Sequence, residues 1–579
     1  MPNKSTSCTG KSPFPNRWDD WTSAEPIGGF DAVIGNPPWD RIKLQQVEWF
    51  AARVPEIASQ SRAADRKRAV ARVVAEGGEM ADSYSLASWK AEAAARVARA
   101  SYSLLGGGDA NLYSLFVERA SQLIRPDGMV GLLTPSGIVG DLGAAKFFRS
   151  VSTTGRLAGV YDFENRTRGG SNLWFPDVDS RFKFCAVIFS VPSRRFEEAR
   201  LGFFLPTADR RAVDNHTFAL TADDFARANP NTGTAPIFRS PRDAELTLGI
   251  YRRLPVLVDR RSDPPKMPWS VRYATMFHMT NDSHLFRTRA ELQEDGFFPI
   301  TDNRWRGQVD GEPTEFVPLY VGRMFWHFDH RASHVAATDA LHNPFASEEI
   351  RSVEKSNPDF FAQPQFWVDW NEVSPKRQWT LAFRDIARPT DARTIIATIL
   401  PGAAYANTAP LVLSDDADST GRLTANLNSF ALDYVARSKL QGTHANWYIV
   451  EQLPVIPPEA YAARFGPKTA EEIVRDDVVA LTYTATDMEH FARDLDYEGS
   501  PFRWDEEDRR NRRARLDALY FNLYGIGRED ADYILSTFPI VERQDRAAHG
   551  RYLTRDLILA WMNALEAGEP DAEIVLPPA

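Results

Sequence analysis

Asn36-Pro37-Pro38-Trp39 follows the apolar run Phe30-Asp31-Ala32-Val33-Ile34-Gly35 and sets two hydrogen-bond acceptors beside an indole ring. Those residue types suit methylation of an exocyclic amine. An adenine amino nitrogen is conjugated into its ring and stays a poor nucleophile until its lone pair is freed. The side-chain oxygen of Asn36 and the carbonyl of Pro37 would accept its two N–H groups and draw the nitrogen toward tetrahedral geometry. Its lone pair would then point at a sulfonium methyl. Trp39 would stack on the base. The prolines hold the loop extended, so the acceptors converge without an ordering cost. A base in a duplex must leave the stack to reach such a loop, and an aromatic wall replaces part of the stacking it loses. The plainer alternative is a proline-rich turn after a buried strand, with Trp39 covering core.

The element that must position this loop is a strand over 30–35, read as short and buried. Residues 41–104 differ, being rich in Ala, Arg and Glu. With Val47, Phe50 and Val54 at helical spacing and a break at Gly77-Gly78, they predict a helical hairpin inserted beside the loop. A helix is expected over 111–119, ended by Pro126-Asp127-Gly128, then strands over 129–133, 157–163 and 182–190. This alternation implies an α/β unit with a mostly parallel sheet and ligands at the carboxyl ends of its strands. Beyond residue 195, short strand-like runs, prolines and the aromatics Trp305, Phe325, Trp326, Trp367 and Trp370 predict a mixed α+β recognition domain. Helices are expected again over 512–522 and 553–566. The expected layout is a lead-in (1–28), an α/β catalytic domain (29–195, helical insertion about 47–104), a recognition domain (196–460) and a small helical domain (461–579).

Composition narrows the classes. A chain of 579 residues has length for about two to four domains. No apolar run of about 18 residues is present to cross a bilayer, and the polar opening lacks the apolar core of a secretory signal, so a cytoplasmic protein is expected. Cys8 and Cys185 alone exclude a disulfide framework, a cysteine-rich zinc module and an iron–sulfur cluster. A net charge of −10 runs against indiscriminate nucleic-acid binding, so any contact must be local. Candidate patches are Asp65-Arg66-Lys67-Arg68, Arg181-Phe182-Lys183-Phe184 and the arginine run over 509–515, each equally readable as a solvated helix face.

Several blocks together resemble the gamma-class adenine-N6 DNA methyltransferases of type IIG restriction-modification and phage-defence systems. They are GFDAVIGNPPWDRIKLQ (29–45), NLYSLFVERASQLIRPDGMVGLLTPSGI (111–138), DFENRTRGGSNLWFPDVDSRFKFCAVIF (162–189) and PLYVGRMFWHFDHR (318–331). The later ones are LAFRDIARPTDARTIIATILP (381–401), LNSFALDYVARSKLQGTHANWYIVEQLPVIPP (427–458) and LDALYFNLYGIGREDADYILSTFP (516–539). The resemblance covers most of the chain. It implies a partial Rossmann-like methyltransferase sheet, a DNA target-recognition domain, S-adenosylmethionine as donor and double-stranded DNA as partner. It also implies Asn36, Pro37, Pro38 and Trp39 as the catalytic loop, with Trp39 and Phe184, the latter preferred to Phe182, stacking on the base. Lys183, Arg323, His327, Arg331, Arg384, Arg393, Lys439 and His444 would meet phosphates or base edges.

One departure is large. Enzymes of this class carry a cofactor-binding half ahead of the loop, with a Phe-x-Gly-x-Gly turn and an acidic residue for the ribose. The 35 residues before Asn36 contain neither, and Gly106-Gly107-Gly108 and the glycines over 137–143 lack the spacing. The expectation is a chain without full activity by itself, whose cofactor half lies on a separate subunit or was lost by truncation. A non-catalytic DNA-binding or specificity component stays open. So does a protein-glutamine methyltransferase, which uses such a loop on a side-chain amide but needs no recognition region of this length. His327, Asp329, His330 and His334 lack a His-Glu-x-x-His pattern, so no metal site is expected. No acidic cluster suits a magnesium nuclease, and Ser136 lacks a Gly-x-Ser-x-Gly elbow.

Overall fold

Apolar side chains alternate through Ile124–Pro135 and run almost unbroken through Lys183–Ser190, and these two strands lie in the interior of a six-stranded sheet. The computed structural model describes residues 18–20, 27–60, 63–107, 111–165, 174–176, 178, 182–205, 207–301, 303–335, 347–414, 416–440 and 442–577. Most of the expected lead-in, and Arg181, lie outside them. The chain divides into two compact units, 1–248 and 249–579. Among the described residues no helix is long and apolar enough to cross a membrane.

In the first unit, β1 (Trp18–Asp20) and β2 (Ile27–Gly28) form a small antiparallel pair. The main sheet comprises β3 (Phe30–Gly35), β4 (Ile124–Pro135), β5 (Leu157–Glu164), β6 (Lys183–Ser190), β7 (Glu198–Leu205) and β8 (Phe218–Thr221), in the order β3-β4-β6-β5-β7-β8. Only β3–β4 and β5–β7 are parallel pairs; β6 runs against both its neighbours. The sheet is therefore mixed, where the sequence predicts a mostly parallel one. A continuous apolar run reads the same in either direction, so periodicity carries no strand polarity. The reversal has a consequence for the site, because it brings the amino end of β6 to the edge where β3, β4 and β5 end.

Two further expectations change. β3 is the edge strand, not a buried one: Asp31, Ala32 and Gly35 are exposed and Ile34 is 84% exposed. The first unit also continues past residue 195, because β7 and β8 extend the same sheet, and the division falls at 248/249.

Between β3 and β4 the helical insertion forms as α1 (Gln46–Ala51), α2 (Pro55–Ala58), α3 (Ala63–Glu76) and α4 (Glu79–Ser101). Gly77 and Gly78 separate α3 from α4 with φ of +73° and +89°, a backbone that side-chain-bearing residues rarely adopt. Phe50, Ile57 and Val70 form its core, with Tyr84 packed against them. α5 (Leu112–Leu123) then leads directly into β4.

Among the described residues the second unit holds two larger sheets, two two-stranded pairs (Ser333–His334 with Glu348–Glu349, and Arg464–Phe465 with Lys468–Thr469) and a group of helices. One sheet joins Phe298–Pro299, Trp305–Val309, Glu312–Tyr320 and Trp367–Asp369, with Ala404–Tyr405 parallel to Glu312–Tyr320. The other joins Ala397–Pro401, Trp379–Phe383, Leu411–Leu413 and Arg272–Ala274. The helices expected near the carboxyl end form over Glu506–Leu523 and Leu553–Glu566, within this same unit. Asp505 caps the first of them by accepting from the N–H groups of Glu507 and Asp508, and the acidic first turn suits the positive end of the helix dipole.

Candidate active site

At the carboxyl end of β3 the chain leaves the sheet as Asn36-Pro37-Pro38-Trp39-Asp40, one residue after Gly35 pairs with Leu132. Both ends of the loop are anchored. Upstream, Gly29 has φ +126°, and a Cβ there would lie 2.6 Å from the backbone nitrogen of Arg125. Arg125 in turn pairs with Asp31 at 2.9 Å. Downstream, the N–H of Leu112 donates to the carbonyl of Asp40 at 2.9 Å and Arg41 bridges to Asn111, so the start of α5 holds the loop.

Between these anchors Asn36 and Pro38 are exposed, Pro37 is buried and Trp39 is half-buried. Among the described residues, the amide of Asn36 and the carbonyl of Pro37 have no hydrogen-bond partner, so neither acceptor is already engaged. The Trp39 indole N–H is also buried without a partner.

The Trp39 ring lies 5.0 Å from Phe175 and 6.4 Å from Phe184. Phe184, however, is a core residue. It is 5% exposed and stacks on Phe163 at 5.4 Å and 18°, and the edges of Phe175 and Trp174 close around it. With its face already occupied it has no room for a base, which corrects the preference for Phe184 over Phe182. Phe182 lies just before β6 and is 57% exposed; within the cluster Trp174, which meets Phe163 and Phe184, is 38% exposed.

Behind the loop, Pro135, Phe163 and Phe184 stand in register on β4, β5 and β6. The N–H of Ser136 donates to the carbonyl of Lys183 at 3.1 Å, and its hydroxyl makes a short hydrogen bond to Asp162. Burial raises the Asp162 carboxyl above the ordinary carboxylate range, opposed by Lys183, by Ser136 and by the N–H of Phe204. Lys183 itself lies 4.5 Å over the Phe204 ring. This set fixes the sheet edge that carries the loop. Sequence reasoning missed Asp162 because a single Asp inside a strand has no spacing signature.

It also missed a cavity of about 470 Å³ that opens directly after the loop, between residues 41–46 and α4. Arg41, Lys43, Arg96 and Arg99 line it against the single carboxylate Glu92. Arg96 and Arg99 are three apart on one helix, a signal that whole-chain charge conceals.

Most of the DNA contacts expected in the second unit are structural instead. Arg331 is fully buried and donates to the carbonyls of Lys355, Asn357, Phe360 and Thr484. Arg393 pairs with Asp433 at 2.6 Å and sits 3.9 Å over Phe430. His327 bonds the carbonyl of Ile395 at 2.9 Å, and burial with the nearby Arg393 holds its imidazole well below the ordinary range. Lys439 is buried against Tyr251, which pushes its ammonium well down. A buried, internally satisfied donor cannot reach a groove, so these four expectations are withdrawn. His444 is exposed and bonds Asp385 at 2.6 Å, while Arg323 and Arg384 line a second cavity, within the second unit. The 509–515 run is no solvated face either: Arg509 is 3% exposed, and Arg512 and Arg515 converge on the buried Asp477.

The residues once weighed as a metal set have separate partners. Asp329 pairs with Lys355 at 2.7 Å, His330 bonds Asp487 at 2.9 Å and His334 accepts from the N–H of Gln363. A nucleoside sulfonium donor is not accommodated by the described residues either. The carboxyl ends of β3, β4 and β5 carry Asn36-Pro37, Ser136-Gly137 and Asn165, where a glycine-rich turn backed by an acidic residue would be needed.

No family model and no curated protein matches the chain. Solved structures that it resembles are restriction-modification enzymes. The type IIL enzyme MmeI in complex with DNA is 11% identical, with a TM-score of 0.35 over 88% of this chain and 57% of that one. A nuclease-deletion mutant of the type ISP enzyme LlaGI, in complex with a DNA substrate mimic, is 11% identical, with a TM-score of 0.33 over 78% of this chain and 35% of that one. The methyltransferase subunit of a type I system from Streptococcus thermophilus is 10% identical, with a TM-score of 0.21 over 38% of this chain and 40% of that one. The chain thus spans little more than half the length of MmeI.

Proposed function

We propose that this chain captures a flipped adenine and presents its N6 amine for methylation, as the base-binding and DNA-recognition part of a restriction-modification DNA methyltransferase. The observation that carries this reading is the anchored Asn36–Trp39 loop at the sheet's carboxyl edge, with two unpartnered acceptors next to an aromatic ring. Asn36 and the Pro37 carbonyl accept the two N–H groups, and Trp39 orients the ring. The basic cavity formed by Arg41, Lys43, Arg96 and Arg99 receives the phosphates flanking the extruded nucleotide.

S-adenosylmethionine is the proposed donor, and its cradle is assigned to polypeptide other than the described residues. Among the described residues β3 is the edge strand of the sheet, with Ile34 exposed, and it is the proposed joining point: a further parallel strand there would extend the sheet beside Asn36. A second reading is a DNA-binding component that transfers nothing, in keeping with the lack of a glycine-rich turn after β3 and β4 among the described residues.

The test is transfer of labelled methyl from S-adenosylmethionine to duplex DNA, by the chain alone and mixed with a polypeptide carrying a glycine-rich donor site. Asn36→Ala is expected to lower transfer by about 10²- to 10³-fold, the usual loss when one preorganised polar contact is removed. Transfer that survives Asn36→Ala refutes amine activation by this loop. Duplex binding without transfer in any mixture supports the second reading.

A further inference from the structure

The second unit contains a cavity of about 550 Å³ whose walls include Arg323, Trp326, His327, Arg384, Arg509 and Arg513. Its described lining is rich in cations. Lys355 and Asp329 neutralise one another at 2.7 Å, and Arg384, Arg509 and Arg513 share the walls with the carboxylates Glu349 and Glu506. Glu506 is engaged by the Ser352 hydroxyl at 2.6 Å and the Trp504 indole N–H at 2.7 Å.

The guanidiniums differ in what satisfies them. Arg509 donates to the carbonyls of Leu481 and Phe328 and lies 3.8 Å over Trp504, so it forms part of the wall. Arg384 donates to the carbonyl of Phe325 and covers Trp326 at 4.6 Å. Arg513 donates only its Nε–H, to the carbonyl of Arg509 at 3.3 Å. Among the described residues its two Nη groups, a planar fork of four N–H donors, have no hydrogen-bond partner. A part-buried fork of this kind, beside three other guanidiniums, matches the oxygens of a phosphate.

We propose that this cavity is a phosphate-binding site, taking the phosphate of a nucleotide unit on the Arg513 fork, with Arg323 and Arg384 beside it. The volume lies within the range of roughly 300–1,000 Å³ that accommodates organic ligands, larger than a bare phosphate requires. The half-buried Trp326 gives the sugar or base an apolar wall. Burial pulls Arg384 and Arg509 down to about 10 and lowers Arg323 and Arg513 as well, so a bound anion would relieve a penalty already present in the free chain. Two sources share this chemistry, a strand of DNA and a free nucleotide. The first deepens the DNA reading above and rests on it; the second does not.

The experiment uses the full chain and its Arg513→Gln variant, with a labelled duplex followed by anisotropy, and with ATP and pyrophosphate followed by titration calorimetry. If the source is DNA, Arg513→Gln weakens duplex binding about 3- to 10-fold and reduces the slope of log affinity against log salt by about one. If the source is a free nucleotide, duplex binding is unchanged while ATP and pyrophosphate binding falls by a similar factor. A folded variant that matches the wild type for every probe overturns the proposal. Should the variant not fold, amide exchange on the wild type decides: protection of residues 322–333 and 506–513 by any of the probes supports the site, and its absence with all of them overturns it. The methylation reading is scored by methyl transfer and this site by duplex, ATP and pyrophosphate binding to the Arg513→Gln variant, so a failed methylation reading and a failed phosphate site are told apart.

Discussion

Replacing Arg331 by Met tests whether this arginine is a strut or a DNA contact. The side chain is fully buried and donates to Asn357 at 3.1 Å, Phe360 at 2.8 Å, Lys355 at 3.0 Å and Thr484 at 2.9 Å, all backbone carbonyls. At a net 0.5–1.5 kcal/mol for each bond, four are worth roughly 2–6 kcal/mol, and breaking a buried charged network typically costs about 3–5 kcal/mol. Unfolding entropy is about 2.1 cal/mol/K per residue, or roughly 0.7 kcal/mol/K for a unit of about 330 residues, so the melting temperature of the second unit should fall by about 4–7 °C. Scanning calorimetry reads the melting, and anisotropy reads duplex binding on the still-folded protein. Arg331→Lys, with three donors on a flexible stem, should fall between the two. An unchanged melting temperature combined with weaker, less salt-dependent duplex binding would refute the structural role and restore Arg331 as a DNA contact.

Asp517 should make stability depend on pH with an unusual sign. Burial raises its folded pKa to about 6, above the ordinary value near 3.9, so its stabilising contribution is full below about pH 4 and is lost as pH rises through 6. Asp517→Asn keeps an oxygen for the Phe430 N–H and should remove a fall on the order of 2–3 kcal/mol between pH 4 and 7, measured by denaturant melts; identical profiles would contradict the burial argument. Phe184→Ala should destabilise the first unit by about 3–5 kcal/mol, whereas Phe182→Ala should stay within about 0.5 kcal/mol. Equal effects in thermal melts would overturn the distinction between core and accessible rings. Asn36→Ala, exposed and without an internal hydrogen bond, should remove methyl transfer in the donor-supplemented mixture while shifting stability by no more than about 0.5 kcal/mol.

The candidate loop at 36–39 could be singled out without a fold because the chemistry proposed for it is local. Two acceptors and a ring within four residues, made rigid by their own prolines, follow an apolar run that ends at Gly35. The helical insertion was equally accessible, since Gly77 and Gly78 interrupt a 3.6-residue periodicity and both adopt positive φ. In the same way the strands over 157–163 and 182–190 were placed close to their observed limits, because β-rich apolar runs bounded by turn residues are local signals.

What sequence could not determine depends on partners distant along the chain. Phe182 and Phe184 look alike as letters, yet only Phe184 finds Phe163 across the β5–β6 pair. Arg331 and Arg393 carry the same charge as any DNA-contacting arginine, but carbonyls and a carboxylate 24 to 153 residues away consume it. The reversal of β6 and the edge position of β3 likewise follow from hydrogen-bond pairing, which periodicity does not encode. Sequence alone therefore determined which atoms could activate an amine, since that requires only neighbours along the chain. Tertiary structure decided which rings and cations remain available to a ligand, because availability is what is left after long-range packing and desolvation have claimed the rest.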